Sequence, residues 1–340
     1  MKETPYLIFK EKILEENYRK FEELCDKYLK DYIISYSVKT NSFDNLINKL
    51  DELGSNFEVA SMEEIIKVPK KFIVFNGSCK TKEELKKAIS GNFLINADSK
   101  SEIDKIINLI NGDKLEIGLR VSLKNEKFGF EKDKILEIID YCIKNNLKVV
   151  GLSFHSGTQV TLKNYEDFIK EIENIVDKIK NKIDLKYLDF GGGFPDKYQL
   201  KNLNVSLEYY FKLMSNLRKF NVKIILEPGR ILVSDVFDLI TKVNVIKNKD
   251  GKTYAIINVG INFLGKMSMT NYKFEKVEDK EKNEKKEYIL AGPLLFGNDI
   301  IGKFYGYLEE GDLIKISNVG AYCYNLAWEI SYKKPKVFVE

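Results

Sequence analysis

Eight short apolar runs, separated by stretches with helical spacing of their hydrophobic residues, constrain this 340-residue chain more than any other feature. The runs are Tyr32–Val38, Asn56–Val59, Phe72–Phe75, Phe93–Ala97, Glu116–Val121, Val149–Phe154, Tyr187–Phe190 and Lys223–Leu226. Helical patterns cover Glu11–Leu29 before the first run. Between the runs lie the patterns Ser61–Val68, Lys82–Ile89, Ser101–Ile110, Lys132–Asn145, Tyr165–Ile183 and Leu207–Phe220. Near-continuous apolar strands fit a parallel sheet covered on both faces. Eight of them alternating with helices predict an α/β chain folded as a closed (β/α)8, TIM-like barrel. An open doubly wound sheet is the competing arrangement, because it does not need the eighth strand to meet the first.

Beyond Arg230 the texture changes. Thr241–Ile246, Thr253–Asn258, Glu287–Leu290, Leu313–Ser317 and Pro335–Val339 read as strands joined by turns, with little helix. This predicts a barrel over residues 10–235 and a β domain, sandwich or barrel, built from 236–340 and the strand in 1–9. The charged stretch Lys276–Lys286 reads as a hairpin tip. Basic and acidic residues, 55 against 51, are interleaved along the chain, which argues against a nucleic-acid stripe. No apolar run is long enough to span a bilayer, and residues 1–5 lack a signal core. Four dispersed cysteines and one histidine provide no metal spacing, so no metal is expected, and the thiols fit a reducing cytoplasm.

Four features fall where barrels put their chemistry, at the C-terminal ends of strands. Lys39 closes the first run; a lysine partly removed from water there loses some of its preference for the ammonium form and can attack a carbonyl. Its plainer reading is a strand cap reaching to solvent. His155, the sole histidine, ends the sixth run, where it is either a ligand-facing group or a hydrogen-bonded core residue. Gly191-Gly192-Gly193 follows the seventh; it is either a tight turn or a backbone cradle for an anion. Glu227-Pro228-Gly229-Arg230 follows the eighth, as a Glu–Arg pair across a turn or as groups for a ring nitrogen and a phosphate. Together they specify a pocket for a planar, phosphorylated, carbonyl-bearing cofactor, which matches pyridoxal 5'-phosphate.

The chain resembles the fold-type III pyridoxal-phosphate-dependent decarboxylases, the group IV enzymes that include ornithine, arginine and diaminopimelate decarboxylases and share an alanine racemase-like fold. Tyr36-Ser37-Val38-Lys39-Thr40-Asn41 is similar to their lysine motif Y-A-V-K-A-N. Phe57-Glu58-Val59-Ala60-Ser61 is similar to their second-strand motif, with Glu58 where many members have Asp. Lys127-Phe128-Gly129, Ser153-Phe154-His155-Ser156-Gly157-Thr158, the glycine triplet, Glu227-Pro228-Gly229-Arg230 and Gly320-Ala321-Tyr322 follow in the family's order.

The resemblance implies catalytic roles for Lys39, His155 and Glu227. It implies cofactor contacts from Lys39, Glu58, His155, Thr158, Gly191, Gly192, Gly193, Glu227, Gly229, Arg230 and Tyr322. It also implies decarboxylation through a Lys39 Schiff base and a quinonoid, in a cytoplasmic homodimer with shared active sites and no nucleic-acid or membrane partner.

The same comparison exposes a departure. The family's partner-donated loop Gly-Pro-x-Cys-(Asp/Glu)-x-x-Asp here reads Gly292-Pro293-Leu294-Leu295-Phe296-Gly297-Asn298-Asp299. Leu295 stands for the cysteine and Phe296 for the acid that binds a diamine's far amino group, while Asp299 remains. Lys266 stands where diaminopimelate decarboxylases carry an arginine for the distal carboxylate. The expectation is therefore an amino-acid decarboxylase whose substrate, free or tethered to a carrier or peptide, is not of the diamine type. The alternatives are a diaminopimelate/ornithine-type enzyme with a remodelled loop and a catalytically altered cofactor-binding or partner-regulating protein.

Overall fold

A computed structural model describes residues 2–124, 126–265, 270–278 and 285–340. They form two compact units, Tyr18–Ile231 and Met1–Asn17 with Leu232–Glu340. In the first unit every apolar run contains a strand: Tyr32–Ser37, Asn56–Val59, Ile73–Phe75, Leu94–Ala97, Leu115–Ser122, Leu147–Ser153, Tyr187–Asp189 and Lys223–Leu226. All neighbours are parallel. Closure is explicit, since Ile224 pairs with Tyr32 and Asn96 with Gly118. An open sheet would leave one of those edges bare, so the structure is the closed barrel.

The barrel's floor is apolar. Val74, Val150, Tyr187 and Ile225 pack there, with Ile33 and Leu94 against them. Tyr187 fits because two neighbouring strand positions lack side chains. A Cβ on Gly151 would sit 2.1 Å from the Tyr187 ring, and one on Gly118 2.0 Å from its hydroxyl oxygen. That hydroxyl donates to Asn96 Oδ1 at 3.0 Å, where the filling turns polar. Above the floor, toward the strand C-termini, the buried residues are Asn96, Asp189, Asn76, Glu58 and Glu227.

The helices differ from expectation in two places. The Ser61–Val68 pattern yields only the four-residue helix Met62–Ile65, because Pro69 disfavours helical geometry just before it. A helix not expected from the sequence, Asp44–Glu52, buries Leu46, Ile47 and Leu50 between the first two barrel strands. Helix Lys82–Ser90 opens with a reciprocal capping box between Thr81 and Glu84. At its edge the fully buried Lys80 ammonium bonds Gly77 O (2.8 Å), Asn96 O (2.9 Å) and Glu102 (2.9 Å), holding the ends of the third and fourth strands.

Among the described residues, the second unit holds a mixed eight-stranded sheet. Its long strand Phe237–Lys249 pairs with Leu313–Ser317, Lys252–Ile257 and the N-terminal Tyr6–Phe9, which also pairs with Lys336–Val339. Lys273–Lys276 and Ile300–Gly306 are strands that the sequence reading left out. The latter is interrupted by glycines, which weaken a strand signal. Gly302 is required there, since a Cβ would meet the Phe274 ring at 2.6 Å. Residues 279–284 of the charged stretch lie outside the described residues.

Candidate active site

The loops at the barrel's C-terminal rim are cross-tied by backbone. Phe154 N–H donates to Asp189 O (2.8 Å), Val160 N–H to Gly193 O (3.0 Å), Glu227 N–H to Gly191 O (2.8 Å) and Ser37 N–H to Pro228 O (3.2 Å). Phe194, next to the glycine triplet, is buried against Phe211, Phe21 and Tyr210. Burial of one such ring contributes about 1.5–3 kcal/mol, so the turn is anchored by a side chain as well as by backbone.

Inside this rim lies a cavity of about 220 Å³ lined by Lys39, Glu58, Asn76, Arg120, Phe128, His155 and Glu227, among others. Lys39 follows the first strand in a single 3-10 turn, Val38–Thr40. Its Nζ lies 2.6 Å from Glu58 Oε2. The same oxygen accepts the Ser37 hydroxyl at 2.6 Å, and Asn76 reaches Oε1 at 3.3 Å. Burial alone would raise the Glu58 carboxyl, but the Lys39 charge and these donors outweigh it and hold it below the usual carboxylate range.

The Lys39 side chain is 46% exposed, between full burial and a strand cap reaching freely to solvent, and its ammonium is paired with Glu58. That partner lies on the next strand and was not part of the sequence argument for Lys39.

The other carboxyl, Glu227, is 4% exposed and accepts from Asn76 Nδ2 at 2.6 Å. Burial, reinforced by the carboxyls of Asp189 and Glu58, raises it well above the usual carboxylate range. His155 is pushed down to about 3, first by burial and then by the charges of Arg120 and Lys39, and is a neutral imidazole.

The glycine turn is sterically obligatory. Gly191 and Gly193 have positive φ, and a Cβ on Gly191, Gly192 or Gly193 would lie 2.8, 2.5 or 2.4 Å from Phe154 O, Glu227 O or Ser156 Oγ. Gly229 is equally tight, with Thr40 Oγ1 2.2 Å from its would-be Cβ. Arg230 is buried beside it and Thr158 is exposed.

Sequence reasoning missed Asn76, Asn96, Arg120 and Asp189. Each is a polar residue at the C-terminal end of an apolar barrel strand, and that position was the signal available.

The remaining expected residues belong to the other unit. Tyr322 has φ +65 and follows Gly320, whose would-be Cβ lies 1.7 Å from Val233 O. Leu295 is fully exposed, and Phe296 is half exposed against the Trp328 ring. Asp299 is buried, with Oδ1 on Ile261 N–H (2.7 Å) and Oδ2 on Leu294 N–H (2.8 Å). Lys266 lies outside the described residues. The described residues contain no cluster able to hold a metal ion.

The barrel mouth suits pyridoxal phosphate on structural grounds: an amine in a cavity, a turn kept free of side chains, and a buried carboxyl held by Asn76. Comparison with known proteins agrees. Residues 14–234 match the family model described as "Pyridoxal-dependent decarboxylase, pyridoxal binding domain". The chain is 29% identical to the diaminopimelate decarboxylase of Vibrio cholerae over 360 residues, covering 95% of this chain and 84% of that protein. It superposes on diaminopimelate decarboxylase from M. jannaschii, solved with L-lysine, with TM-score 0.87 and 27% identity, covering 99% and 87% of the two chains. Lysine decarboxylase from Selenomonas ruminantium gives TM-score 0.86 at 25% identity, with 99% and 92% covered.

Proposed function

This chain belongs to the pyridoxal-dependent decarboxylase family and is an amino-acid carboxy-lyase, and we propose that it acts on an amino acid, free or tethered, whose far end carries no ammonium. One observation carries this reading. The only acid retained in the 292–299 loop, Asp299, is buried, with each oxygen accepting a backbone N–H of its own unit. Leu295 and Phe296 carry no charge to offer a distal ammonium; Phe296 offers only its ring face, worth about 0.5–1 kcal/mol to a cation at an exposed site.

When bound, pyridoxal phosphate supplies the electron sink for loss of the carboxylate. The protein's part follows from the barrel mouth. Lys39 would hold the aldehyde, and Glu58 orients its amine. The N–H groups of Gly192 and Gly193 and the Arg230 guanidinium would hold the phosphate, with Gly191 N–H held by Asp189 and Thr158 and Tyr322 as further contacts. His155, neutral, would present its ring face to the cofactor. Glu227 would hold a proton at the ring nitrogen, with Asn76 fixing its carboxyl.

Shared sites in a homodimer complete the reading. The exposed apolar residues Leu295, Phe296, Trp328, Ile330 and Tyr332 support a protein-facing surface. A cytoplasmic setting fits four cysteines that form no disulfide.

The second reading, a diaminopimelate-type enzyme with a remodelled loop, is favoured by similarity across nearly the whole chain. Release of CO2 from a panel of free amino acids, with L-lysine, L-ornithine and meso-diaminopimelate included, separates the two. The expected winner is a neutral or apolar side chain, and Phe296→Glu should raise turnover of the diamino acids about tenfold. Preference of the wild-type protein for meso-diaminopimelate or L-lysine would establish the second reading.

A further inference from the structure

Asn76 follows the third barrel strand directly, buried, with its backbone N–H on Val59 O at 2.9 Å. Its side-chain amide gives both protons to carboxyls from other strands. Nδ2 donates to Glu227 Oε1, after the eighth strand, at 2.6 Å and to Glu58 Oε1, on the second, at 3.3 Å. Oδ1 accepts Asn96 Nδ2 at 2.9 Å. Asn96 in turn donates to Asp189 Oδ2 at 2.9 Å and accepts the Tyr187 hydroxyl at 3.0 Å. Turning the Asn76 amide over would set its NH2 against that of Asn96 and its carbonyl oxygen against two carboxyl oxygens, so the direction of donation is fixed.

The two carboxyls so joined have different partners. Glu58 Oε2 holds the Lys39 ammonium and the Ser37 hydroxyl, each at 2.6 Å, and its other oxygen is the one that meets Asn76. Around the barrel wall the third strand is separated from the eighth by the second and the first. The bond to Glu227 therefore crosses the mouth, above the strand that ends in Lys39. The backbone ties of the rim do not make this link; they join neighbouring loops.

We propose that Asn76 is a positioning residue that holds Glu58 and Glu227 in one frame, so that a single amide sets both the amine end and the ring-nitrogen end of the cofactor site. This rests on the reading that Lys39 holds the cofactor's aldehyde and Glu227 faces its ring nitrogen. Those two points lie at opposite ends of a rigid pyridine ring, so the groups that meet them must keep a matching separation. Asn76 carries no charge, so it orients both carboxyls without adding a third ionisable group to a cavity already lined by Lys39, Asp98, Arg120 and His155.

The first test needs no cofactor. In NMR of the full-length, isotope-labelled chain stripped of cofactor, the Asn76 side-chain amide should give two distinct proton signals, assigned by their loss in Asn76→Asp. Glu227→Ala should shift chiefly one of them upfield, and Glu58→Ala chiefly the other. The second test loads the protein with pyridoxal phosphate labelled with 15N in the ring. Asn76→Asp keeps an acceptor for Asn96 and loses both donated protons. It should shift the ring-nitrogen signal and also the pH midpoint of the visible band, and weaken cofactor binding at least about tenfold. Ser37→Ala, which removes a donor to Glu58 alone, should shift the midpoint and leave the nitrogen signal in place. A nitrogen signal or a midpoint unchanged in Asn76→Asp overturns the shared frame, as does Ser37→Ala moving both equally. If Asn76→Asp does not fold, Asn76→Ser, which lacks the amide, takes its place in the loaded measurements. Wild-type amide signals that answer to neither carboxyl overturn the proposal without any variant at Asn76. Failure of a visible band to form with wild type sinks the cofactor reading and the use assigned to Asn76, whereas the cofactor-free signals still report whether the bridge exists.

Discussion

Gly193→Ala tests whether the glycine turn is a cradle shaped by exclusion of side chains. Gly193 has φ +88, and an ideal Cβ there lies 2.4 Å from Ser156 Oγ and 2.6 Å from Gly157 O. The hydroxyl could rotate away, but the carbonyl belongs to the neighbouring loop's backbone and cannot. Left-handed geometry costs an L-residue about 1–2 kcal/mol, and forcing a methyl into a filled space about 1–3 more. The turn relieves this by moving off the 156–160 loop, which breaks Val160 N–H to Gly193 O (3.0 Å) and Ser156 Oγ to Gly192 O (3.4 Å). A displaced turn loses at least one charge-assisted N–H bond to phosphate, worth about 1.5–3 kcal/mol, so affinity for pyridoxal phosphate should fall about ten- to a hundredfold. The assay is equilibrium titration by visible absorbance. Gly54→Ala is the control: its φ is +92 and nothing lies within 4 Å of its Cβ, so it should lose stability from strain alone and bind cofactor normally. A folded Gly193→Ala protein that binds within about twofold of wild type would refute the cradle.

Lys39→Ala should abolish the visible absorbance of bound cofactor while leaving the barrel folded; an unchanged spectrum removes Lys39 from its assigned place. His155 should show no NMR titration near its ordinary range, and as the sole histidine its resonances are unambiguous. Because its folded pKa is depressed, stability is complete above about 6.5 and falls as pH drops from there toward 3, by up to about 1.4 kcal/mol per pH unit. His155→Gln should flatten that acid limb in urea unfolding measured across pH. Glu227 is shifted the other way, so the folded chain holds a proton that the unfolded chain releases above its ordinary carboxyl pKa, and stability falls as pH rises from there. Glu227→Gln should therefore gain stability over wild type as pH increases, and a gain that does not depend on pH would contradict the upward shift. Gly151→Ala drives a methyl to 2.1 Å from the Tyr187 ring and should cost about 3 kcal/mol in denaturant unfolding, partly recovered by Tyr187→Leu.

The barrel was legible because its strands are buried on both faces and read as uninterrupted apolar runs. Asn56–Val59 and Lys223–Leu226 have the expected bounds in the structure. What escaped was structure made by context. Helix Asp44–Glu52 is short, begins at Phe43 with no side-chain cap, and has only three buried residues to mark its face. Strand Ile300–Gly306 carries two glycines, one of them making room for Phe274. In the site, Lys39, His155 and Glu227 were visible as single residues at strand ends, but the electrostatics around them were not. The lowered pKa of Glu58 and of His155 and the raised pKa of Glu227 follow from burial and from the charges that face them across the barrel, on strands far apart in sequence.

The mouth also explains why the substituted loop and the intact barrel are compatible. The residues expected to hold the cofactor at the barrel rim sit on strand ends tied to one another by backbone, so their geometry is set within one unit. The 292–299 loop belongs to the other unit, and its fold is set by Asp299, whose carboxylate fills the space beside Gly260 and Gly292; a Cβ at either glycine would strike it at 2.8 or 2.2 Å. Asp299 thus keeps the loop's shape whatever stands at 295 and 296. Leu295 and Phe296 are exposed and can change without disturbing either core. On the proposed reading, the groups offered to the substrate's far end can change while the barrel rim that would hold the cofactor stays as it is. Phe296→Glu accordingly changes which amino acid is turned over and leaves the visible spectrum of bound cofactor as it was.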